Sequence, residues 1–325
     1  MNRLVSVIIP VYNSSEYISE AITSVLSQTY NKLEIIVIDD GSTDTTEETV
    51  KKIRDNRIRY IKSEKQGNYF ARNMGIRKAS GEYIAFLDAD DIWLKDKLKK
   101  QVDVFNKDND VGLCCTDHYI FFDGKKSDTY ADTLHSFSRD LLSHAKFIER
   151  LLIENIIITS SVVVRRSCFE HLGLFDTAYQ NAMDYDMWLR IILNYKAYYI
   201  KDRYLLKRRH ALNISQNKIN TLSALLYIFT KVKSYIEGTQ FFDARHKELV
   251  EKKRRKTMYD LGLEYLSVRD YKNAFQCLRD SKATEKNVFR YFAMSVAKLH
   301  AGFLAALIDL YRSQRQKSKI VHRKL

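Results

Sequence analysis

The first 215 of the 325 residues read as an α/β fold with a mostly parallel central sheet, and three observations carry that reading. Apolar runs of strand length alternate with segments whose apolar residues recur at helical spacing, which implies a parallel sheet covered on both faces. Acidic clusters directly follow two of those runs, at the place where ligands bind in sheets of this kind. Beyond about residue 215 the alternation stops and the pattern becomes helical throughout.

The elements follow in order. Val5–Val11 is an apolar run of strand length. Ile18, Ala21, Ile22, Val25 and Leu26 then recur at helical spacing, with Asn13 as the expected N-cap and Glu16 three residues on. Residues 33–38 form a second strand, and Asp44 with Glu47 opens a second helix. Residues 58–61 read as the third strand, 69–79 as the third helix and 83–87 as the fourth strand. Val111–Phe122 and residues 156–164 also read as strands, 187–193 as a short amphipathic helix and 197–200 as a further strand. Helices are expected at roughly 221–237, 241–267, 270–281 and 287–312. Within them Leu261, Gly262, Tyr265, Ala274 and Leu278 fall at the spacing of one tetratricopeptide-like helix pair. A single unit is no array, so the plainer reading is a helical hairpin packing on itself.

A length of 325 residues suits two domains. The formal net charge of +14 invites a nucleic-acid or anionic-membrane partner. The excess is uneven: residues 215–325 hold 23 Lys and Arg against 10 Asp and Glu, and the remainder is near balance at 31 against 30. Any electrostatic partner therefore belongs to the last third. No recognised nucleic-acid motif is present, so nucleic acid is set aside. A single proline, Pro10, excludes collagen-like and Pro-rich linker classes. Four cysteines without a CxxC argue for a reducing, cytoplasmic compartment and against structural zinc. The opening MNRLVSVIIPVYNSSEYI has too short an apolar run for a signal peptide. No window reaches the ~20 apolar residues of a spanning helix.

The motif richest in chemistry is Phe86-Leu87-Asp88-Ala89-Asp90-Asp91. An Asp-x-Asp at a strand end places two carboxylates on one side of an extended segment. Such a pair can hold Mg2+ or Mn2+, which can in turn grip a diphosphate. A phosphatase with an aspartyl-phosphate intermediate is the rival reading, with Asp88 as nucleophile and Asp90 as its acid/base. That chemistry generally sits on a first strand, with Thr or Val where this chain has Ile92. A second cluster, Asp39-Asp40-Gly41-Ser42-Thr43-Asp44, can accept from a base or a ribose, with Gly41 permitting a tight turn. Neither GxGxxG nor GxxxxGK[ST] is present, so neither a dinucleotide fold nor a P-loop is supported. In Asp184-Tyr185-Asp186 the two carboxylates diverge on a helix start, so one can serve as general base while the other caps. Arg208-Arg209-His210, with Asn213 and Ser215, can bind phosphate or complete a metal shell.

Taken in order, these residues resemble the family 2 glycosyltransferases and their GT-A fold. The resemblance runs from about Val5 to Ser215, and also takes in Ala71-Arg72-Asn73, Gly75, Gly81 to Asp91, Lys97-Leu98, Gln101 and Gly173-Leu174-Phe175-Asp176. It implies a catalytic domain over residues 1–215 and a basic helical region over 216–325. It implies an enzyme that moves a sugar from a nucleotide-diphosphate sugar, a UDP-sugar by expectation, with inversion. The acceptor is expected to be a hydroxyl of a glycan or lipid-linked saccharide in surface polysaccharide synthesis. Carried over by position, Pro10, Tyr12, Asn13, Asp39, Asp40, Arg72 and Asp88 belong to the donor nucleotide site. Asp88, Asp90 and His210 belong to a Mn2+ or Mg2+ site, and Asp184 matches the catalytic base. The family usually carries Glu before that Asp, where this chain has Met183. The contacts to the donor's hydroxyls are expected from loops after Asp90 and around Thr159-Ser160-Ser161.

Two further classes compete: a nucleotidyltransferase on a related fold, and a non-catalytic scaffold acting through the helical tail. The first should show a Gly-rich basic loop after the first strand, and Val11-Tyr12-Asn13-Ser14 lacks one. The basic tail suits the cytoplasmic face of an anionic membrane, with Phe289, Phe292, Leu299, Phe303 and Leu307 as an apolar side. A helix packed on the catalytic domain is the alternative.

Overall fold

The computed structural model describes residues 3–122, 131–132, 144–209, 218–239, 242–281, 294–296 and 298–300. The chain divides into two compact units, Met1–Gln216 and Asn217–Leu325.

In the first unit β1 (Val5–Val11), β2 (Leu33–Asp39), β3 (Ile58–Lys62) and β4 (Tyr83–Phe86) pair in parallel in the order β3-β2-β1-β4. All seven residues of β1 are buried, including Ser6, as expected of a strand covered on both faces. The intervening helices are α1 (Ile18–Leu26), α2 (Thr46–Lys52) and α3 (Asn68–Lys78). Gly75 lets α3 lie directly on β1, since a Cβ there would fall 2.4 Å from the Ile8 side chain. Beyond β4 the sheet turns mixed. It continues with β5 (Ile92–Trp93), β6 (Val111–Phe122), β7 (Ala131–Asp132), β8 (Val163–Arg165) and β9 (Lys196–Arg209). β8 is antiparallel to β4 and β6, β5 to β9 and β7 to β6, whereas β6 and β9 run parallel. The helices here are α4 (Lys97–Lys107), α5 (His144–Ile153), α6 (Arg166–Leu172) and α7 (Met183–Ile192).

Three expectations change. Asn13 does not cap α1, which starts at Ile18; it sits at φ 46° and joins two loops instead. The run at 156–164 is no single strand. A short 3-10 turn, Thr159–Ser161, precedes β8, and the apolar residues before it are apolar because they are buried, not because they pair. The strand expected at 197–200 extends to Arg209 along β6.

An aromatic wedge fixes α7 to the end of β4. Phe86 and Phe175 meet edge to face at 5.4 Å, and Phe175 and Trp188 at 5.6 Å, each pair contributing about 1 kcal/mol beyond its burial. In the second unit α8 (Lys218–Glu237), α9 (Ala244–Ser267) and α10 (Tyr271–Asp280) pack in sequence. Leu261, Gly262, Ala274 and Leu278 are buried between α9 and α10, as the hairpin reading expects. No described helix is long and apolar enough to cross a membrane.

One buried charge stands out in the first unit. Lys97 is fully buried, donates to Gln101 Oε1 at 2.8 Å and lies 4.0 Å from the Trp93 ring centroid. Burial pulls its pKa down to about 7. An unfolded lysine keeps its proton to about pH 10. Between those values the unfolded chain binds more protons, so stability rises with pH. Lys97→Met is therefore expected to raise Tm most at pH 6, with the gap to the parent narrowing towards pH 10. A gap constant over that range would mean an ordinary lysine.

Candidate active site

The carboxyl ends of β2, β1 and β4 lie side by side, and the loops leaving them carry the acidic clusters. The β1 and β2 loops are stitched together: Asp40 N–H donates to Val11 O at 2.9 Å, Asn13 N–H to Ser42 Oγ at 2.9 Å and Thr43 N–H to Asn13 Oδ1 at 2.8 Å. Pro10 is buried within β1, whereas Tyr12 is 40% exposed with the Lys65 ammonium 3.8 Å from its ring centroid. Asp39 is fully buried and accepts from Ser42 N–H at 2.7 Å and from the Tyr60 hydroxyl. Asp40 accepts from the Gln66 and Gly67 amides at 2.7 and 2.8 Å. Gly67, at φ 105°, supplies the turn that leads into α3.

α3 connects the remaining clusters. Arg72, nearly fully buried, donates to Asp88 Oδ1 at 2.6 Å, and its Nε has no hydrogen-bond partner among the described residues. Burial opposes the Arg72 charge, but Asp88, Tyr69 and Asp184 more than offset it and raise its pKa. The Tyr69 hydroxyl donates to Asp184 Oδ1 at 3.4 Å and accepts from Met183 N–H at 3.1 Å. Burial, and then Asp184, push that phenol well above the usual range. Asn73 exchanges two hydrogen bonds with the Phe175 backbone, at 2.8 and 2.9 Å. Met183 is fully buried, so its side chain fills core and only its amide reaches the site.

The Asp88–Asp91 loop is held from the other side by β9. Arg208 N–H donates to Asp91 Oδ1 at 3.0 Å and Arg208 Nε to Asp90 O at 2.8 Å. Its guanidinium carbon also lies 4.4 Å from the Phe121 ring centroid and 4.8 Å from that of Tyr17. Arg208 thus braces the acidic loop. Lys207 faces the carboxylates: burial works against its charge, yet Asp91, Asp88, Asp90 and Asp184 raise its pKa. Burial and the charges of Asp90 and Asp88 raise the Asp91 pKa against the opposing pull of Lys207. His210, Asn213 and Ser215 lie outside the described residues.

The sequence alone did not single out Tyr69 or Lys207 for the site. The hydroxyls of the Thr159–Ser161 turn all donate within the protein. Thr159 Oγ1 donates to Asp184 Oδ2 at 3.0 Å, Ser160 Oγ donates to Asp91 Oδ2 at 2.5 Å, and Ser161 Oγ to Ile158 O at 2.6 Å. All three residues are buried. Asp186 is spent on structure: it accepts from Arg190 Nε at 2.8 Å, while the same guanidinium donates to Leu172 O and Leu174 O.

As for a metal, no group of three His, Cys, Asp or Glu side chains converges among the described residues. What the strand end offers is oxygen from Asp88 and Asp90. That hard donor pair fits Mg2+ or Mn2+ when substrate phosphates supply further oxygens.

A mixed sheet with acidic loops at the carboxyl edge of its parallel half is the arrangement expected of a GT-A glycosyltransferase. The comparisons agree. The family model described as "Glycosyl transferase family 2" matches residues 6–173. An uncharacterised glycosyltransferase of Rickettsia prowazekii (strain Madrid E) is 34% identical over 222 residues, 67% of this chain and 68% of that protein. The UDP-Glc:alpha-D-GlcNAc-diphosphoundecaprenol beta-1,3-glucosyltransferase WfaP of Escherichia coli is 32% identical over 224 residues, 68% of this chain and 83% of WfaP. The structure of the mannosyltransferase PcManGT from Pyrobaculum calidifontis, in complex with GDP-Man and Mn2+, aligns with a TM-score of 0.58 at 21% identity, covering 96% of this chain and 83% of that one. The chain belongs to glycosyl transferase family 2.

The two carboxylates of α7 should separate in experiment. Arg190→Met strands the buried Asp186 and is expected to cost about 3 kcal/mol, read as a lower urea midpoint at unchanged slope. Asp184→Asn is expected to stay within about 1 kcal/mol of the parent.

Proposed function

We propose that the chain is an inverting glycosyltransferase that moves a sugar from a nucleotide-diphosphate donor, a UDP-sugar, to a hydroxyl of a glycan or lipid-linked saccharide in surface polysaccharide synthesis. The observation that carries this is the chain of contacts Asp184–Tyr69–Arg72–Asp88, which joins the candidate base to the candidate diphosphate end. WfaP, a relative, is named for a UDP-glucose donor and a diphosphoundecaprenol-linked acceptor, which supports the donor and acceptor classes.

In this reading Tyr12 and the β1 and β2 loops receive the nucleotide. Arg72 offers its spare Nε–H to the diphosphate, and Lys207 faces the same charge. Asp184 takes the proton of the acceptor hydroxyl as its oxygen attacks the anomeric carbon. A single in-line attack inverts that centre. Asp88 and Asp90, with His210, would hold a divalent cation, Mn2+ or Mg2+, which when bound neutralises charge on the departing diphosphate. The Mn2+ in the PcManGT complex supports that choice of metal. The nucleotidyltransferase reading loses ground because the β1 loop carries no Gly-rich basic segment, and the phosphatase reading because the Asp-x-Asp follows the fourth strand with Ile92 where Thr or Val is expected.

Thermal shift against a panel of nucleotide-sugars with Mn2+ is expected to select one donor. Asp184→Asn should keep that shift and lose transfer by at least about a thousandfold. Transfer within about tenfold of the parent would remove Asp184 from the role. Chelation should abolish turnover, and Mn2+ or Mg2+ should restore it. Turnover that survives chelation would remove the metal from the proposal.

We also propose a place on the cytoplasmic face of an anionic membrane, through residues 216–325. The net charge of that region supports it, since each basic residue near such a surface contributes about 1 kcal/mol before screening. Flotation with anionic liposomes is expected at low salt and should be lost at high salt. Equal recovery with neutral lipid would count against it.

A further inference from the structure

The Thr159–Ser161 turn touches both ends of the proposed reaction centre. Thr159 Oγ1 donates to Asp184 Oδ2 at 3.0 Å. One residue on, Ser160 Oγ accepts from Asp88 N–H at 3.0 Å and donates to Asp91 Oδ2 at 2.5 Å. The turn itself is held from below. Trp93 Nε1 donates to Ser160 O at 2.7 Å, Gln101 Nε2 donates to Ser161 O at 2.9 Å and to Cys114 O at 2.7 Å, and buried Lys97 holds the Gln101 oxygen. Thr159 and Ser160 are buried, with 6% and 0% exposure, so their hydroxyls are committed to these partners rather than to a ligand. Adjacent residues of one turn thus grip carboxylates that stand 25 and 69 positions away in the chain.

We infer that Thr159 and Ser160 are positioning residues: the turn is a rigid bridge that fixes the base Asp184 relative to the Asp88–Asp91 loop, with Thr159 orienting the carboxylate through Oδ2. The inference rests on the reading of Asp184 as the base. The Asp184 carboxylate also faces Tyr69 and Arg72 of α3 and Lys207 of β9. Tyr69 reaches its other oxygen, but at the longer distance of 3.4 Å. Thr159 therefore supplies the shorter of the two side-chain hydrogen bonds that orient Asp184.

The test uses the full chain with Thr159→Val, which keeps the shape and loses the hydroxyl, and Thr159→Ser, which restores the donor. In carbon-13 spectra of the aspartate carboxylates at one fixed pH, the resonance lost in Asp184→Asn marks Asp184. Thr159→Val is expected to shift that resonance, because the hydrogen bond to Oδ2 is gone, and Thr159→Ser to leave it near the parent. An unshifted resonance in Thr159→Val overturns the inference. Hydrolysis of UDP-glucose with Mn2+ gives the second reading. Thr159→Val should lower kcat about tenfold or more with KM for UDP-glucose within about twofold, and Thr159→Ser should recover most of kcat. A rise in KM at constant kcat also overturns it, since that is a defect of donor binding. Hydrolysis that persists in Asp184→Asn removes the base assignment instead. In that case the Asp184 carboxylate resonance still reads whether Thr159 holds Asp184, so the two failures remain distinct.

Discussion

Everything at the carboxyl edge of this sheet depends on crowding several carboxylates into one place. Asp88, Asp90, Asp91 and Asp184 all act on the same Lys207. Unit charges 4 Å apart interact by about 4 kcal/mol near a protein surface, so like charges at such spacing are costly unless cations intervene. The fold supplies them from separate elements: Arg72 from α3 and Lys207 from β9. Burial first, and then the charges of Asp90 and Asp88, still hold the Asp91 pKa up against the pull of Lys207.

α3 is the element that distributes this requirement. Asp40 takes the amides of Gln66 and Gly67 just before the helix begins, which sets where its first turn lies. Tyr69, Arg72 and Asn73 are then three and four residues apart, so they share a face. They reach Asp184, Asp88 and the Phe175 backbone respectively. Behind them Gly75 allows the backbone to settle on β1. α3 thus joins the loop after β2 to the candidate base by direct contacts.

Much of this was legible in sequence, for a physical reason. Strands buried on both faces write themselves as unbroken apolar runs, so β1, β2 and β4 are plain, and the acids after β2 and β4 mark the expected ligand edge. What could not be read was pairing across long separations. Tyr69 and Asp184 are 115 residues apart, and a tyrosine at a helix start carries no sign of its partner. Residues 156–164 misled because burial makes an apolar run whether or not the backbone joins a ladder. β9 was cut short because its register against β6 slips near Thr116 and Asp117, which breaks simple alternation. Nothing in the run Arg208-Arg209-His210 tells which arginine turns inward; burial and the Asp90–Asp91 loop claim Arg208.

Asp184 and Asp186 show how one helix turn separates chemistry from support. Two residues along an α-helix are about 200° of rotation, so the carboxylates must face nearly opposite ways. Trp188 and the other buried residues of α7 fix which way is inward. Asp186 falls on the inward side, where a bare charge would be intolerable, and Arg190 one turn later neutralises it. That guanidinium has donors to spare, and they go to the carbonyls of Leu172 and Leu174, anchoring the segment that carries Phe175. Phe175 in turn packs against Phe86, two residues before Asp88. The outward carboxylate, Asp184, is therefore held to the strand that leads into Asp88 twice, by hydroxyl contacts in front and by an aromatic wedge behind. On the proposed reading the supports are apolar or ionic, and the group that handles a proton stays on the open side.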